Sequence, residues 1–368
     1  MKKTSNFSFI VYLLMVVAAY FIGKNIIMQA NKNVSNSIAL VLIGVALGLI
    51  VNAVLMEVGH VIGAKIGGYQ ILSFHVLGFG FIKTQNKWRF CFSNFDGLTG
   101  ETQVIAKKEN AKPQFMFWGG TLLLLIEIAC FVLIPLFVPN LANKIPYIVY
   151  GGFLIAMIGG GILIYNILPF RLDTKNDGVM MRMVNKEFVP IYNELTKMKG
   201  ALYDGKPLEN IQEVEKINMV SGYVNYYAYL EKIYERDYEQ AGKIIDYLME
   251  HSEALNDATY HQLIAGKMYV LMQTETKEKV EEYYNALSQH LKKELITPDT
   301  IEAARAYFAY AIMMDSYQDA KLSWKKWQLL KKRCKEVGRI EQEELFMQEL
   351  TEVLKEKHPD WNLESKEE

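Results

Sequence analysis

The sequence predicts a mainly α, polytopic membrane protein with about four transmembrane helices, a membrane-associated β-hairpin and a cytoplasmic α-helical repeat domain. Residues 1 to about 170 contain long uncharged apolar runs, whereas the remaining residues are rich in Glu, Lys and Tyr. Several runs reach the length of roughly 20 residues that crosses a bilayer core. The expected parts are an N-terminal helix with a short external loop (1–35), a membrane core (36–185), a helical-repeat domain (190–358) and a tail (359–368).

Composition excludes some partners. The 368 residues carry a formal net charge of −1, which gives no indication of a nucleic-acid partner. Cys91, Cys130 and Cys334 lie far apart in the sequence and form no paired framework. The fold is therefore expected not to depend on disulfides.

The first apolar run, about 9–28, follows the basic start MKKTSNFS. A cleaved signal peptide has this pattern, but the run is long enough to span and no A-x-A site follows it. We expect a retained first helix.

The second run, about 38–66, carries the stretch MEVGH near its end. Gly59, Gly63 and Gly67 recur every four residues, a spacing that lets another helix approach closely. A role in helix packing alone, with no part in a functional site, explains most of these glycines.

Residues 70–106 change character. The β-prone pieces FGFIK and KWRFCFS flank Gln85 and Asn86, which predicts a hairpin, and FDGLTGE follows as an irregular segment. Irregular backbone at membrane depth must be buried in protein or line a wet cavity.

The third and fourth runs span about 115–138 and 147–168. Glu127 lies within the third, where a carboxylate is unfavourable, and a functional and a structural role are equally compatible with the sequence. Gly152, Ala156 and Gly160 form a small-residue stripe on the fourth, and Gly159 and Gly161 widen it. We expect the fourth run to pack against the second.

Basic residues predict the orientation. Six lie between the second and third runs, and few lie on the opposite side: Lys83, Lys87, Arg89, Lys107, Lys108 and Lys112 against Lys24, Lys32 and Lys144. The positive-inside rule then places both termini in the cytoplasm. The expected location is a bacterial plasma membrane.

After about residue 189 the pattern is that of amphipathic helices. Segments 237–248, 276–287 and 316–327 align with a period near 40 residues and place Ala241, Val280 and Ala320 at equivalent positions. This resembles a tetratricopeptide-like solenoid, which implies a cytoplasmic protein partner. The alternative is a cap that only stabilises the membrane half.

Met56, Glu57 and His60 form the centre of the candidate site. Positions 56 and 60 share a helix face, and zinc proteases place two histidine ligands at this spacing with a general-base Glu after the first. Here Met replaces the first histidine. Zinc takes imidazole, thiolate or carboxylate, and a thioether is a poor ligand for it.

MEVGH together with NILPFRLDTKNDG, at the end of the fourth run, resembles the site-2 protease family of intramembrane zinc metalloproteases. The resemblance covers about 36–180 and implies that the hairpin lines a substrate path. It implies His60 and Asp177 as metal ligands and Glu57 as general base. Asn166, paired with Pro169, is the implied substrate-orienting donor.

Two assignments stay open. Asp173 competes with Asp177 for the role of ligand, although Gly178 after Asp177 favours the latter. His75 is a candidate substitute for the lost ligand, and an ordinary hydrogen bond is its simpler role.

We therefore expect a pseudoprotease that binds membrane-anchored proteins or peptides. The alternative is an active zinc metalloendopeptidase that cleaves membrane-embedded or short hydrophobic peptides near the cytoplasmic face. Zinc is the expected cofactor only if the site functions. A third possibility, compatible with the first, is a scaffold that recruits a cytoplasmic protein through its helical repeats.

Overall fold

The structure is a computed structural model. It describes residues 13–25 apart from 15 and 19, and residues 37–85, 87–92, 100–168, 176–255 and 257–363. The chain divides into two compact units, residues 1–83 with 87–196, and residues 84–86 with 197–368. The expected first span, 9–28, lies partly outside the described residues, and residues 20–25 within it are helical.

Three helices of the described chain are long and apolar enough to cross a membrane. They are α1 (Ser37–Ile66), α2 (Gln114–Phe137) and α4 (Pro146–Ile167), with the one-turn helix α3 (Leu141–Lys144) between the last two. Each begins and ends within a residue of the second, third and fourth predicted runs.

The glycines of α1 bring its backbone close to α2. A Cβ atom added to Gly59 would lie 2.3 Å from the Gly119 carbonyl oxygen, and one added to Gly63 would lie 1.9 Å from the Phe115 carbonyl oxygen. These distances are too short for any side chain. The spacing of the glycines correctly predicted a close helix contact.

Helix α4 packs against α1 as expected, and Gly159 lies at the contact. A Cβ atom on Gly159 would lie 2.4 Å from Asn52 Oδ1 of α1, whereas Gly152 approaches Phe131 of α2. A Cβ atom added to Gly160 would meet no described atom within 4 Å. Gly160 is therefore not at the contact with α1.

A four-stranded antiparallel sheet connects α1 and α2. It comprises β1 (Tyr69–Val76), β2 (Phe79–Thr84), β3 (Lys87–Phe92) and β4 (Gly100–Ala106), in the order β3-β2-β1-β4. The predicted hairpin corresponds to β2 and β3, although Asn86 lies outside the described residues. The sequence did not predict β1 and β4, because polar and apolar residues do not alternate regularly in β1 and β4 begins with polar residues.

After α4, helices α5 (Asp177–Met183) and α6 (Phe188–Tyr203) lead toward the second unit. The unit boundary at 196 falls later than the expected 185–190. The first part of α6 belongs to the first unit. There Asn193 Nδ2 donates to the Ala111 carbonyl at 3.1 Å, and Thr196 Oγ1 accepts from the Ala106 N–H at 3.2 Å.

From residue 197 onward, the described regular elements of the second unit are all helical. These are α7 (Ser221–Tyr234), α8 (Tyr238–Glu250), a 3₁₀ turn (Ser252–Ala254), α9 (Asp257–Thr274), α10 (Lys277–Ala286), α11 (Gln289–Ile296), α12 (Ile301–Met313), α13 (Tyr317–Arg333) and α14 (Val337–Lys357). The three recurring segments fall on α8, α10 and α13. Their equivalent residues Ala241, Val280 and Ala320 are all fully buried.

Candidate functional site

His60 and Asp177 meet in the first unit. His60 lies near the end of α1, and its Nδ1 is 2.9 Å from the Met116 carbonyl oxygen of α2. A carbonyl can only accept, so Nδ1 carries a proton and Nε2 faces the other way. Nε2 lies 3.4 Å from Asp177 Oδ2. The histidine is thus oriented by a backbone carbonyl, as metal-ligating histidines usually are.

Asn176 positions Asp177 at the start of α5. Its Oδ1 accepts from the Val179 N–H at 3.0 Å and caps the helix, while its Nδ2 donates to the carbonyls of Tyr165 and Leu168 at the end of α4. Asn176 was not among the predicted site residues. An Asn that precedes a helical segment is a known cap signal.

Asn166 positions Asp177. Its Nδ2 donates to Asp177 Oδ2, and its Oδ1 accepts from the Asp177 N–H at 3.2 Å. The second N–H of Nδ2 is not used in this pair, so a role as donor to a substrate stays a prediction. Burial raises the pKa of the Asp177 carboxyl above its usual range, although His60 and the Asn166 amide favour its charged form.

Glu57 is covered by strand β4. The carboxyl is 1% exposed, and its Oε2 accepts from the Thr102 hydroxyl at 2.6 Å. Gly100 begins β4 beside it, and an added Cβ there would lie 2.0 Å from the His75 carbonyl oxygen and 2.9 Å from Glu57 Cγ. Of the glycine-bearing segment FDGLTGE, the described residues Gly100 and Glu101 thus lie next to the site. Thr102 was not predicted, and the polar strand that contains it gave no signal.

Comparison with known proteins adds no support to the family resemblance. No family model, curated protein or solved structure matches the chain.

Met56 does not contribute to a metal site. Its side chain is buried in an apolar cluster that includes Leu124 and Ile162. Atoms bonded to one tetrahedral zinc ion lie about 3.4 Å apart, a spacing that His60 Nε2 and Asp177 Oδ2 match. A catalytic zinc centre needs three protein ligands, however, and no group of three or more His, Cys, Asp or Glu side chains in the described chain is placed to hold a metal. The donor set does not fit catalytic zinc.

The proposed replacement ligand points elsewhere. His75 lies on β1, and its Nε2 is 3.1 Å from Cys91 Sγ of β3. Its ring therefore joins strands instead of completing the pair of His60 and Asp177. Asp173 and Pro169 lie outside the described residues, and Asp177 is the described aspartate that lies beside His60.

Proposed function

We propose that the chain is a site-2-protease-like integral membrane protein that no longer hydrolyses peptides and instead binds an extended segment of a membrane-anchored protein. The observation that supports this most is the contrast between Met56 and its neighbours. Met56 packs into the apolar core, whereas Glu57, His60 and Asp177 are each held by protein groups. Buried polar groups that keep partners persist without a metal because their hydrogen bonds offset the desolvation penalty.

Strand β4 is the proposed binding edge. It pairs with β1 on one side, and no described strand pairs with its other side. Extended peptides commonly add to such an edge through main-chain hydrogen bonds. Because Gly100 and Thr102 lie against Glu57, a segment added to β4 would run past the old catalytic position.

The wider architecture is part of the same proposal. The helix at 9–28 is a fourth span, both termini face the cytoplasm of a bacterium, and the membrane is its plasma membrane. The helices α7–α8, α9–α10 and α12–α13 form a tetratricopeptide-like array that recruits a cytoplasmic protein. The burial of Ala241, Val280 and Ala320 at equivalent places supports this reading.

Photo-cross-linking tests the binding edge. The probe is a single-span peptide whose β-prone flanking segment carries a photoreactive residue, and its control has prolines in that segment. We expect cross-links on residues 100–106 with the first peptide and few with the second, in the natural protein and in Glu57→Gln. Cross-links confined to β3, or equal for both peptides, would contradict the proposal.

The second candidate is an active metallopeptidase, which the orientation of His60 and its spacing to Asp177 favour. That candidate requires a third ligand from outside the described residues. An active peptidase would cleave the probe, and Glu57→Gln would abolish the cleavage. A protein that only binds would leave the probe intact, in its natural form and as Glu57→Gln.

A further inference from the structure

A basic groove lies on the other side of α1 from the candidate site. Its volume is about 620 Å³, and its lining includes Val58, Val61 and Lys65 of α1. Positions 58, 61 and 65 share one helix face, and Met56, His60 and Gly63 lie on roughly the opposite face. The groove is therefore separate from the His60–Asp177 pair.

Three lysines face this groove from three different elements. Lys65 lies in the last turn of α1, Lys83 lies on β2, and Lys107 follows β4. None of them forms an ion pair with a described residue, and no acidic residue lines the groove in the described part of the chain. An uncompensated triple positive charge at one place favours an anionic ligand.

The rest of the lining is apolar and continues into the membrane. Val58 and Val61 belong to the span, and Val58 lies about 10 Å below Lys65 along the helix axis. Trp88 of β3, half exposed, also lines the groove. Trp and Lys at the end of a span are typical of the headgroup level of a bilayer. The groove thus joins a charged end at the headgroup level to an apolar end within the hydrocarbon.

We propose that this groove binds an acidic phospholipid of the surrounding bilayer, with its phosphate at Lys65, Lys83 and Lys107 and an acyl chain along Val58 and Val61. A free phosphate would leave the apolar part of the groove unused. A neutral lipid would leave the lysines without a counter-charge. Only an anionic amphiphile satisfies both ends.

Native mass spectrometry of the delipidated full chain in detergent tests the proposal. The probes are phosphatidylglycerol and phosphatidylcholine with identical acyl chains. We expect phosphatidylglycerol to bind at least tenfold more tightly. The variant Lys65→Gln, Lys83→Gln and Lys107→Gln should weaken its binding by roughly a hundredfold, since each basic residue near an anionic headgroup contributes about fivefold.

The matched control is Lys87→Gln, Lys108→Gln and Lys112→Gln, which removes the same charge from exposed lysines that do not line the groove. This control variant should bind phosphatidylglycerol as the natural chain does. Lys→Arg at the three groove positions keeps the charge and should retain binding, so it tests the proposal even if the Lys→Gln variant fails to fold. Equal losses in the two Lys→Gln triples would mean general surface attraction and overturn the proposal. Equal binding of the two lipids, displacement by millimolar inorganic phosphate, or tighter binding of a soluble acidic peptide would also overturn it.

Discussion

His60 Nε2 and Asp177 Oδ2 lie 3.4 Å apart, although His60 lies near the end of α1 and Asp177 follows α4. Asn166 and Asn176 hold the aspartate, and the Met116 carbonyl holds the histidine. With a proton on Nε2, the pair is an ion pair that needs no metal. The pair then stabilises the fold in its own right.

Asp177→Ala tests this role. The change leaves Asn166 Nδ2 without its acceptor and His60 without its ion-pair partner, so we expect a loss of about 1–3 kcal/mol in stability. Glu101→Ala, at an exposed position of β4, should change stability by less than about 0.5 kcal/mol. Both are measured by thermal unfolding in detergent. A more stable Asp177→Ala protein would mean that the carboxylate destabilises the fold and is retained to bind a ligand.

Glu57→Gln should be nearly silent. The amide oxygen still accepts from the Thr102 hydroxyl, so stability should change by less than about 1 kcal/mol and probe binding should persist. Thr102→Val leaves the buried Glu57 carboxyl without that donor and should be the more damaging change. The unfolding midpoints of the two variants compare them directly, and the reverse order would contradict the account.

Gly63→Ala and Gly160→Ala form a matched pair in two spans. The methyl group on Gly63 would meet the Phe115 carbonyl oxygen, whereas at Gly160 it meets nothing described. We expect Gly63→Ala to destabilise the membrane unit by about 1–3 kcal/mol, the usual penalty for overpacking, and Gly160→Ala to be neutral. Unfolding of the two variants in the same detergent is the measurement. Equal effects would rule out close approach of α1 and α2 at Gly63.

Glu343 and Glu344 are neighbours in sequence with opposite surroundings. Glu343 pairs with Arg305 at 2.8 Å, and both side chains are at most 1% exposed, whereas the Glu344 and Lys331 pair is about one-third exposed. Breaking the buried pair leaves the arginine uncompensated, so Glu343→Gln should destabilise the second unit by about 3–5 kcal/mol. Glu344→Gln should change stability by at most about 1 kcal/mol. Far-UV circular dichroism during thermal unfolding of the full chain distinguishes them.

The sequence predicted what periodicity and apolar length encode. The ends of α1, α2 and α4 follow from uncharged runs, and the approach of α1 to α2 follows from Gly59 and Gly63. Strand β4 could not be predicted in this way. Its Thr102 is polar because it faces Glu57, and that contact is made only after the sheet has folded.

The parts of the site that depend on local spacing were predictable, and the parts that depend on the folded structure were not. The spacing of Glu57 and His60 is local, and the NDG sequence placed Asp177 at a helix start. The use of both amide atoms of Asn166 by Asp177 depends on how the end of α4 turns into α5. The orientation of His75 toward Cys91 depends on the sheet register. Neither is visible in the spacing of residues.

We propose that the methionine at position 56 alone prevents zinc binding at an otherwise assembled site. Zinc content of the detergent-purified natural protein and of Met56→His tests it most directly, with Met56→His combined with His60→Ala as the control. We predict no zinc above background in the natural protein, near-stoichiometric zinc in Met56→His, and its loss in the control. Near-stoichiometric zinc in the natural protein, or none in Met56→His, would contradict the claim.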